Sequence, residues 1–154
     1  MRSPTQRADP AMPPSLDEVM DDHLIQQVLC DDLEAVADRL PALPSLPVIR
    51  ALCERIQRVT TTHFARAEMV FAVLPRACRP GEAALAALRR MHQMDEVHGE
   101  DLITMLWDHA CRNESRNVEQ LGYMLRCFFD GCRRAIALKE SWIARADMPP
   151  IRVD

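Results

Sequence analysis

The sequence predicts an all-α fold, an up-down-up-down bundle of four long helices. Apolar residues recur at spacings of three and four in four long segments, which is the period of an amphipathic helix. Prolines separate the first three segments and follow the fourth, and proline does not continue a helix. Aromatic residues make up only 5% of the 154 residues, which disfavours strands. Short links between long helices favour antiparallel neighbours.

We predict the first helix over residues 15–40 and the second over residues 47–74. Ser15 and Glu18 have the spacing of a capping box, in which each side chain hydrogen bonds to the backbone of the other residue. Pro47 suits the first turn of a helix, where its missing N–H is not needed. Both helices are expected to end where further prolines follow.

The third helix is predicted over residues 81–109 and the fourth over residues 115–146. Residues 15–147 then form one domain, which is the number expected for a chain of this length. The proline-bearing ends, residues 1–14 and 148–154, are predicted to be tails, and we expect the first to be flexible.

Charge and hydropathy argue against several classes of function. The 19 basic and 23 acidic residues give a net charge of −4, which is not the footprint of a nucleic-acid-binding protein. No apolar run is long enough to cross a membrane, and the N-terminus lacks the apolar segment of a secretory signal. We therefore expect a cytoplasmic protein that binds neither nucleic acid nor membrane. The oligomeric state is left open.

The six cysteines and the catalytic motifs give two further expectations. The cysteines form no CxxC pair and lie mostly in helical patterns, so we expect free thiols in a reducing compartment. The sequence has no Ser-His-Asp arrangement, no glycine-rich phosphate loop and no signature of an activated cysteine. It therefore predicts a protein that is not an enzyme.

Polar residues interrupt the apolar faces of three predicted helices. His23, His63 and His92 each occupy an inward position where Leu or Val would be expected. Asp95 lies on the same face as His92, and Glu96 follows His92 by four residues, a spacing that also shares a helical face. Because a buried carboxylate is costly unless it is paired or bound to a cation, these residues are candidate metal ligands. The alternative is that each histidine is a hydrogen-bonded core residue.

Three stretches carry a resemblance to a known family. Residues 21–41 read DDHLIQQVLCDDLEAVADRLP, residues 88–102 read LRRMHQMDEVHGEDL, and residues 121–130 read LGYMLRCFFD, followed shortly by a pair of arginines. They resemble the first, third and fourth helices of bacterial hemerythrin-like (HHE cation-binding) proteins. The resemblance covers roughly residues 16–147 and implies a hemerythrin-like four-helix bundle.

The resemblance also implies a metal site. Members of this family hold two bridged non-haem irons, or one metal, between the helices, and reversible oxygen binding is their best-known activity. By position, His23 matches the ligand of the first helix and His63 the histidine of the second. His92 and Glu96 match the ligand pair of the third helix, and Asp95 is adjacent.

The sequence departs from the family pattern on two helices. The second helix of the family has a glutamate four residues after its histidine, but that position is Ala67 here, and Glu68 follows His63 by five. Five residues leave the two side chains about 140° apart, so binding one ion would need a distortion such as a π-bulge. On the fourth helix the ligand positions are Ala135 and Lys139. Alanine has no donor atom and an ammonium repels a metal ion.

These departures leave two functions open. We expect no intact two-iron site, and either no cofactor or a single non-haem iron or other divalent ion. The first function is a non-catalytic regulatory or protein-interaction module with an unknown protein partner. In it, the ammonium of Lys139 neutralises Asp95 or Glu96 in place of a metal, unless Lys139 extends out of the helix seam into solvent. The alternative is a protein that holds one metal ion and senses or stores oxygen, nitric oxide or iron.

Overall fold

The computed structural model describes residues 14–112 and 117–146, and in them four long helices pack together, as the sequence predicts. Helix α1 covers Leu16–Arg39. The second helix of the bundle consists of α2 (Leu46–Arg58), a π-helical turn (Val59–His63) and α3 (Phe64–Val73). Helices α4 (Glu82–Arg112) and α5 (Val118–Ala146) complete the fold. The described residues contain no strand.

Local signals set the helix ends. The capping box forms, because the backbone N–H of Glu18 donates to Ser15 Oγ at 3.4 Å and that of Ser15 donates to Glu18 Oε2 at 2.8 Å. Proline occupies the first turn of α2, as expected. The predicted tails fall largely on residues 1–13 and 147–154, which lie outside the described residues. The predicted start of the fourth helix, at residues 115–116, also lies outside them.

Contacts between side chains show that neighbouring helices run in opposite directions. Near one end of the bundle, Arg126 Nη2 of α5 lies 3.0 Å from Asp38 Oδ1 of α1. Near the other end, Glu140 Oε1 of α5 lies 3.4 Å from His23 Nδ1 of α1. The later residue of one helix thus faces the earlier residue of the other, so α1 and α5 are antiparallel. The second helix opposes α1 in the same way, through the ion pairs Arg55–Asp32 and Arg66–Asp22.

The buried interior is divided into two apolar clusters. The larger cluster lies where α1, α2, α4 and α5 meet and includes Leu33, Ile56, Leu102 and Phe128. The smaller cluster lies toward the start of α1 and the end of α5, and its buried members are Val19, Ala67, Val70, Phe71, Leu88, Trp142 and Ile143. On α1, α4 and α5, the buried polar residues lie between the residues of the two clusters. A polar layer therefore crosses the bundle.

No helix among the described residues is long and apolar enough to span a membrane.

Gly99 permits the close approach of α4 to its neighbours. A Cβ atom there would lie 3.1 Å from Phe128, 3.1 Å from Thr60 and 3.2 Å from Ile56, which is closer than side chains normally pack. Gly122 of α5 differs, because a Cβ atom there would meet only Leu40 at 3.4 Å. These two helical glycines therefore make a matched pair for testing the helix packing.

We expect Gly99→Ala to destabilise the bundle. The overpacking cost of about 1–3 kcal/mol exceeds the gain in helix propensity of about 0.5–1 kcal/mol. Gly122→Ala should be neutral or stabilising, since it gains the propensity without the clash. Urea unfolding followed by circular dichroism measures both free energies. Equal stability of the two variants would contradict the tight packing at Gly99.

Candidate functional site

Charged and polar side chains from all four bundle helices are buried in the polar layer. Burying such groups costs free energy unless each finds a hydrogen-bond partner or an opposite charge. The members, all at most 8% exposed, are Asp22, His23, Gln26, Thr60, His63, His92, Asp95 and Lys139. Four of the sequence-predicted candidates, His23, His63, His92 and Asp95, therefore do lie in the interior.

Lys139 is the fully buried centre of this layer. Its Nζ lies 3.3 Å from Nε2 of His92, and Nδ1 of His92 lies 2.9 Å from Oε1 of Glu68. Because the Glu68 carboxylate accepts, Nδ1 of His92 carries the proton and donates it, which leaves Nε2 as an acceptor for the ammonium. The result is a chain of hydrogen bonds from ammonium through neutral imidazole to carboxylate.

Phe64 holds this chain in place from one side. Its ring stacks on the His92 ring with centroids 4.2 Å apart and planes 1° from parallel. Nζ of Lys139 lies 5.7 Å from the centroid of the same phenyl ring, within the range of a cation–π contact. One aromatic side chain thus fixes the plane of the imidazole and faces the ammonium.

The pKa values favour a charged lysine beside neutral histidines. Burial lowers the pKa of Lys139 to about 8, and Cys132, Asp95, Asp22 and Glu68 oppose that shift. Burial, then the charges of Lys139 and His23, lower the pKa of His92 to about 3. At neutral pH the proton therefore stays on the lysine, and the contact between His92 and Glu68 is a hydrogen bond to a neutral ring rather than a salt bridge.

His63 belongs to a second polar group, on the α1 side of the layer. Nη1 of Arg66 lies 2.8 and 2.9 Å from the two carboxylate oxygens of Asp22. Nε2 of His63 lies 3.5 Å from Asp22 Oδ1, and its Nδ1 lies 3.4 Å from Nε2 of Gln26. A neutral ring can accept from the Gln26 amide at Nδ1, while its Nε2 faces the Asp22 carboxylate at ion-pair distance. Burial lowers the pKa of His63, against the opposing effect of Asp22.

His23 and Asp95 are the least satisfied members of the layer. Neither ring nitrogen of His23 makes a hydrogen bond within the described residues, although Glu140 Oε1 is 3.4 Å from Nδ1. Burial, then the charges of Lys139 and His63, lower the pKa of His23 to about 4. Oδ2 of Asp95 also has no hydrogen-bond partner there, and burial raises the pKa of this carboxyl to about 6. Its Oδ1 packs where a Cβ atom of Gly131 would sit.

The π-helical turn does not bring His63 and Glu68 together. The turn ends at His63, and the four residues between His63 and Glu68 lie beyond it, in α3. Consequently His63 faces Asp22 and Gln26 of α1, whereas Glu68 faces His92 of α4. The two side chains contact different helices, which agrees with the angle of about 140° between them around the helix axis.

Glu96 does not join the interior group. It is exposed, and it lines an open cleft of about 430 Å³ together with Arg89, Glu68 and the edge of His92. Glu68 is the carboxylate that reaches His92 instead. Ala67 and Ala135, the two positions that lack a donor atom, are buried in the bundle.

Several members of the polar layer, and the residues that contact it, were not predicted as site residues, namely Asp22, Gln26, Thr60, Arg66, Glu68 and Glu140. A signal for two of them exists in the sequence. Asp22 and Gln26 continue the spacing of three and four that connects Val19 to Leu29 on the buried face of α1. The half-buried partners Arg66, Glu68 and Glu140 have no such signal, because a charged residue at the edge of a helix face is also what a solvent-facing position would carry.

The donor set as arranged does not fit a metal ion. The ammonium of Lys139 faces the free nitrogen of His92, both nitrogens of His63 have partners, and Glu96 points elsewhere. Within residues 14–112 and 117–146, no group of three or more His, Cys, Asp or Glu side chains has a metal-binding arrangement. Among the candidate ligand histidines of the described residues, His23 is the one with neither ring nitrogen in a hydrogen bond, so it offers an unengaged imidazole of the family's type.

Comparison with known proteins identifies no relative. The chain matches no family model, no curated protein and no solved structure at a significant level.

We expect the bundle to lose stability in mild acid because His92 and His23 must stay neutral in the folded state. Their pKa values are about 3 and about 4 when folded, against 6.5 for an ordinary histidine. The unfolded chain therefore binds more protons as the pH falls below about 6.5, which favours unfolding. Asp95, with a raised pKa, partly opposes the effect.

Urea unfolding at about pH 7.5 and about pH 5 should show a net loss of about 1–3 kcal/mol. His92→Gln keeps a donor and an acceptor but does not titrate, so its loss should be smaller by about 1–2 kcal/mol. The same pH dependence in the variant and the parent would contradict the neutral buried imidazole.

Proposed function

We propose that this chain is a divergent hemerythrin-like bundle that acts as a non-catalytic regulatory or protein-interaction module. The observation that carries the proposal is the buried ammonium of Lys139, 3.3 Å from the nitrogen of His92 that would otherwise face a metal. In metal sites a histidine commonly donates its other N–H to a carboxylate, which orients the ligand nitrogen. Glu68 accepts the N–H of His92 in the same way, but the other ring nitrogen of His92 faces the ammonium of Lys139 and not a metal.

Electrostatics explain why a lysine can take the place of a cation. Asp95, Asp22 and Glu68 all favour the charged form of Lys139, so the ammonium compensates the negative charge of the layer. A metal ion would do the same with a larger charge. Since the ammonium neither binds oxygen nor changes oxidation state, the substitution preserves the bundle without the family's chemistry.

We expect protein purified after growth with iron to contain substoichiometric metal and to lack the visible bands of an oxo-bridged iron pair. In Lys139→Glu, a carboxylate replaces the ammonium beside His92 and the unengaged His23. This variant should gain about one equivalent of Co²⁺ or Zn²⁺, since imidazole and carboxylate donors suit such ions. Elemental analysis and calorimetric titration with each metal measure the gain.

Lys139→Met is the matched control, because it removes the charge, keeps a similar length and adds no oxygen donor. It should remain free of metal. A full equivalent of metal in the parent protein would contradict the proposal. A folded Lys139→Glu variant that binds no metal would show that the lysine is not what excludes the ion.

The alternative is a protein that holds one non-haem iron or another divalent ion for sensing or storage. The observation in its favour is that His23 and Asp95 each have a buried nitrogen or oxygen atom that could bind a metal and that has no hydrogen-bond partner among the described residues. In that case the parent protein binds one equivalent of metal and Lys139→Met binds it more tightly, since the repelling charge is gone. The two proposals thus predict opposite results for the same two proteins.

The outward face of α1 is the surface we propose for the interaction. Three apolar side chains stand exposed on it, Leu24 at 61%, Ile25 at 50% and Val28 at 55%. Helix α1 also contains eight acidic residues and one arginine. Five of the eight pair with arginines of neighbouring helices. The other three, Asp17, Glu18 and Asp21, lie in the part of α1 that precedes the exposed apolar side chains. The fitting partner is therefore a protein segment that presents apolar side chains flanked by basic residues. A second copy fits less well, because it would bring two acidic helices together.

A photo-crosslinking amino acid at position 24 should capture such a partner in cells, whereas the same group at Tyr123 should not. Tyr123 is a fair control because it is equally prominent, 67% exposed, on a different helix. Once identified and purified, the partner should bind Leu24→Asp or Val28→Asp about tenfold more weakly or worse, a loss of about 1.4 kcal/mol. It should bind Tyr123→Asp normally. Unchanged binding of the α1 variants would contradict this surface.

A further inference from the structure

Two buried cysteines lie opposite each other where α1 meets α5. Cys30 and Cys132 are each 1% exposed and belong to the same apolar cluster. Sγ of Cys30 lies 3.7 Å from the carbonyl oxygen of Phe129, to which it donates. Phe129 is one helical turn before Cys132, and a helical side chain leans over the turn that precedes it. The two thiols accordingly face each other across the interface of α1 and α5, near enough for each to shift the pKa of the other.

The two thiols differ in their tendency to ionise. The hydrogen bond from Cys132 lowers the pKa of Cys30, burial opposes this, and the positive charge of Arg133 assists it. The hydrogen bond to Cys30 and burial raise the pKa of Cys132 well above that of a free thiol. Within the pair, Cys30 is thus the thiol that becomes the nucleophile and Cys132 the thiol that stays protonated.

We propose that Cys30 and Cys132 form a reversible disulfide that joins α1 to α5, with hydrogen peroxide as the oxidant. The thiolate of Cys30 attacks one peroxide oxygen, the O–O bond breaks, and the departing hydroxide takes up a proton to leave as water. The sulfur of Cys132 then attacks the sulfenic acid sulfur, the S–O bond breaks, and the thiol proton leaves with the hydroxide as a second water. Two thiols and one peroxide give one disulfide and two waters. A small thiol such as glutathione or dithiothreitol reverses the reaction by exchange.

An ion-pair strap covers the seam above Cys30. The guanidinium of Arg133 lies 2.7 Å from Glu34 and 2.9 Å from Asp31, which spans α5 to α1. The same group lies 4.9 Å from the centroid of the Phe129 ring, whose backbone carbonyl accepts from Cys30. Opening this strap is therefore the direct route for peroxide to reach the pair.

The test uses the full chain, reduced, desalted and treated with one equivalent of hydrogen peroxide. Free thiols are then alkylated, and non-reducing peptide mass spectrometry identifies the disulfides. We expect Cys30–Cys132 as the main cross-link, a loss of two hydrogens from the intact mass, and full reversal by dithiothreitol. Oxidation confined to more accessible thiols such as Cys78 and Cys111, with Cys30 and Cys132 still free after unfolding, would overturn the proposal.

Oxidation of the same chain unfolded in urea is the control for the fold. Without the helix interface, the six cysteines should pair mainly by their separation along the chain, and the fraction of Cys30–Cys132 should fall. An equal fraction in the folded and unfolded protein would also overturn the proposal, because the structure would then contribute nothing to the pairing.

Two variants test the strap. Glu34→Gln removes the shortest contact of Arg133 but keeps the arginine, so oxidation should become roughly two- to fivefold faster, as expected for loss of one surface ion pair. Asp38→Asn removes a separate ion pair between α1 and α5, to Arg126, away from the thiols, and should not change the rate. Equal rates in the two variants would show that the strap does not control access.

Discussion

The buried positive charge of Lys139 is the constraint on which the polar layer depends. A lysine this deep is costly, and its lowered pKa records that cost. Its neighbours compensate it: His92 supplies a lone pair, Glu68 fixes the tautomer of His92, and more distant carboxylates contribute negative potential. If the lysine were neutral, Asp95 and Glu68 would lose the buried positive charge that favours their ionised forms. The arrangement of the other members follows from that requirement.

Most of the fold could be predicted from the sequence because helix periodicity and proline positions are local signals. The capping box at Ser15 formed, and the four-helix bundle is confirmed. Lys139 follows Ala135 by four residues, a spacing that shares a helical face, and both residues are buried. These features depend on residues that are close to one another along the chain, and the sequence gives that order directly.

Interior pairings were harder to predict, as Glu96 illustrates. At about 100° per residue, His92 and Glu96 differ by only about 40°, so spacing alone places them on one face. The buried face of α4 is centred on the other side of His92, toward Asp95, and Glu96 falls outside it. Which side faces inward depends on how neighbouring helices approach. The partner of Lys139 depends on the same tertiary geometry.

The division of the apolar core has a consequence for how the protein opens. Each end of the bundle has its own apolar cluster, and the smaller cluster has seven buried residues among those described. Separating that end alone exposes less apolar surface than global unfolding, so it requires less free energy. We expect amide hydrogens around Val19, Val70 and Ile143 to exchange with solvent through partial openings, and those around Leu33 and Leu102 to exchange only when the whole bundle unfolds. The polar layer marks the boundary between these two units of cooperativity.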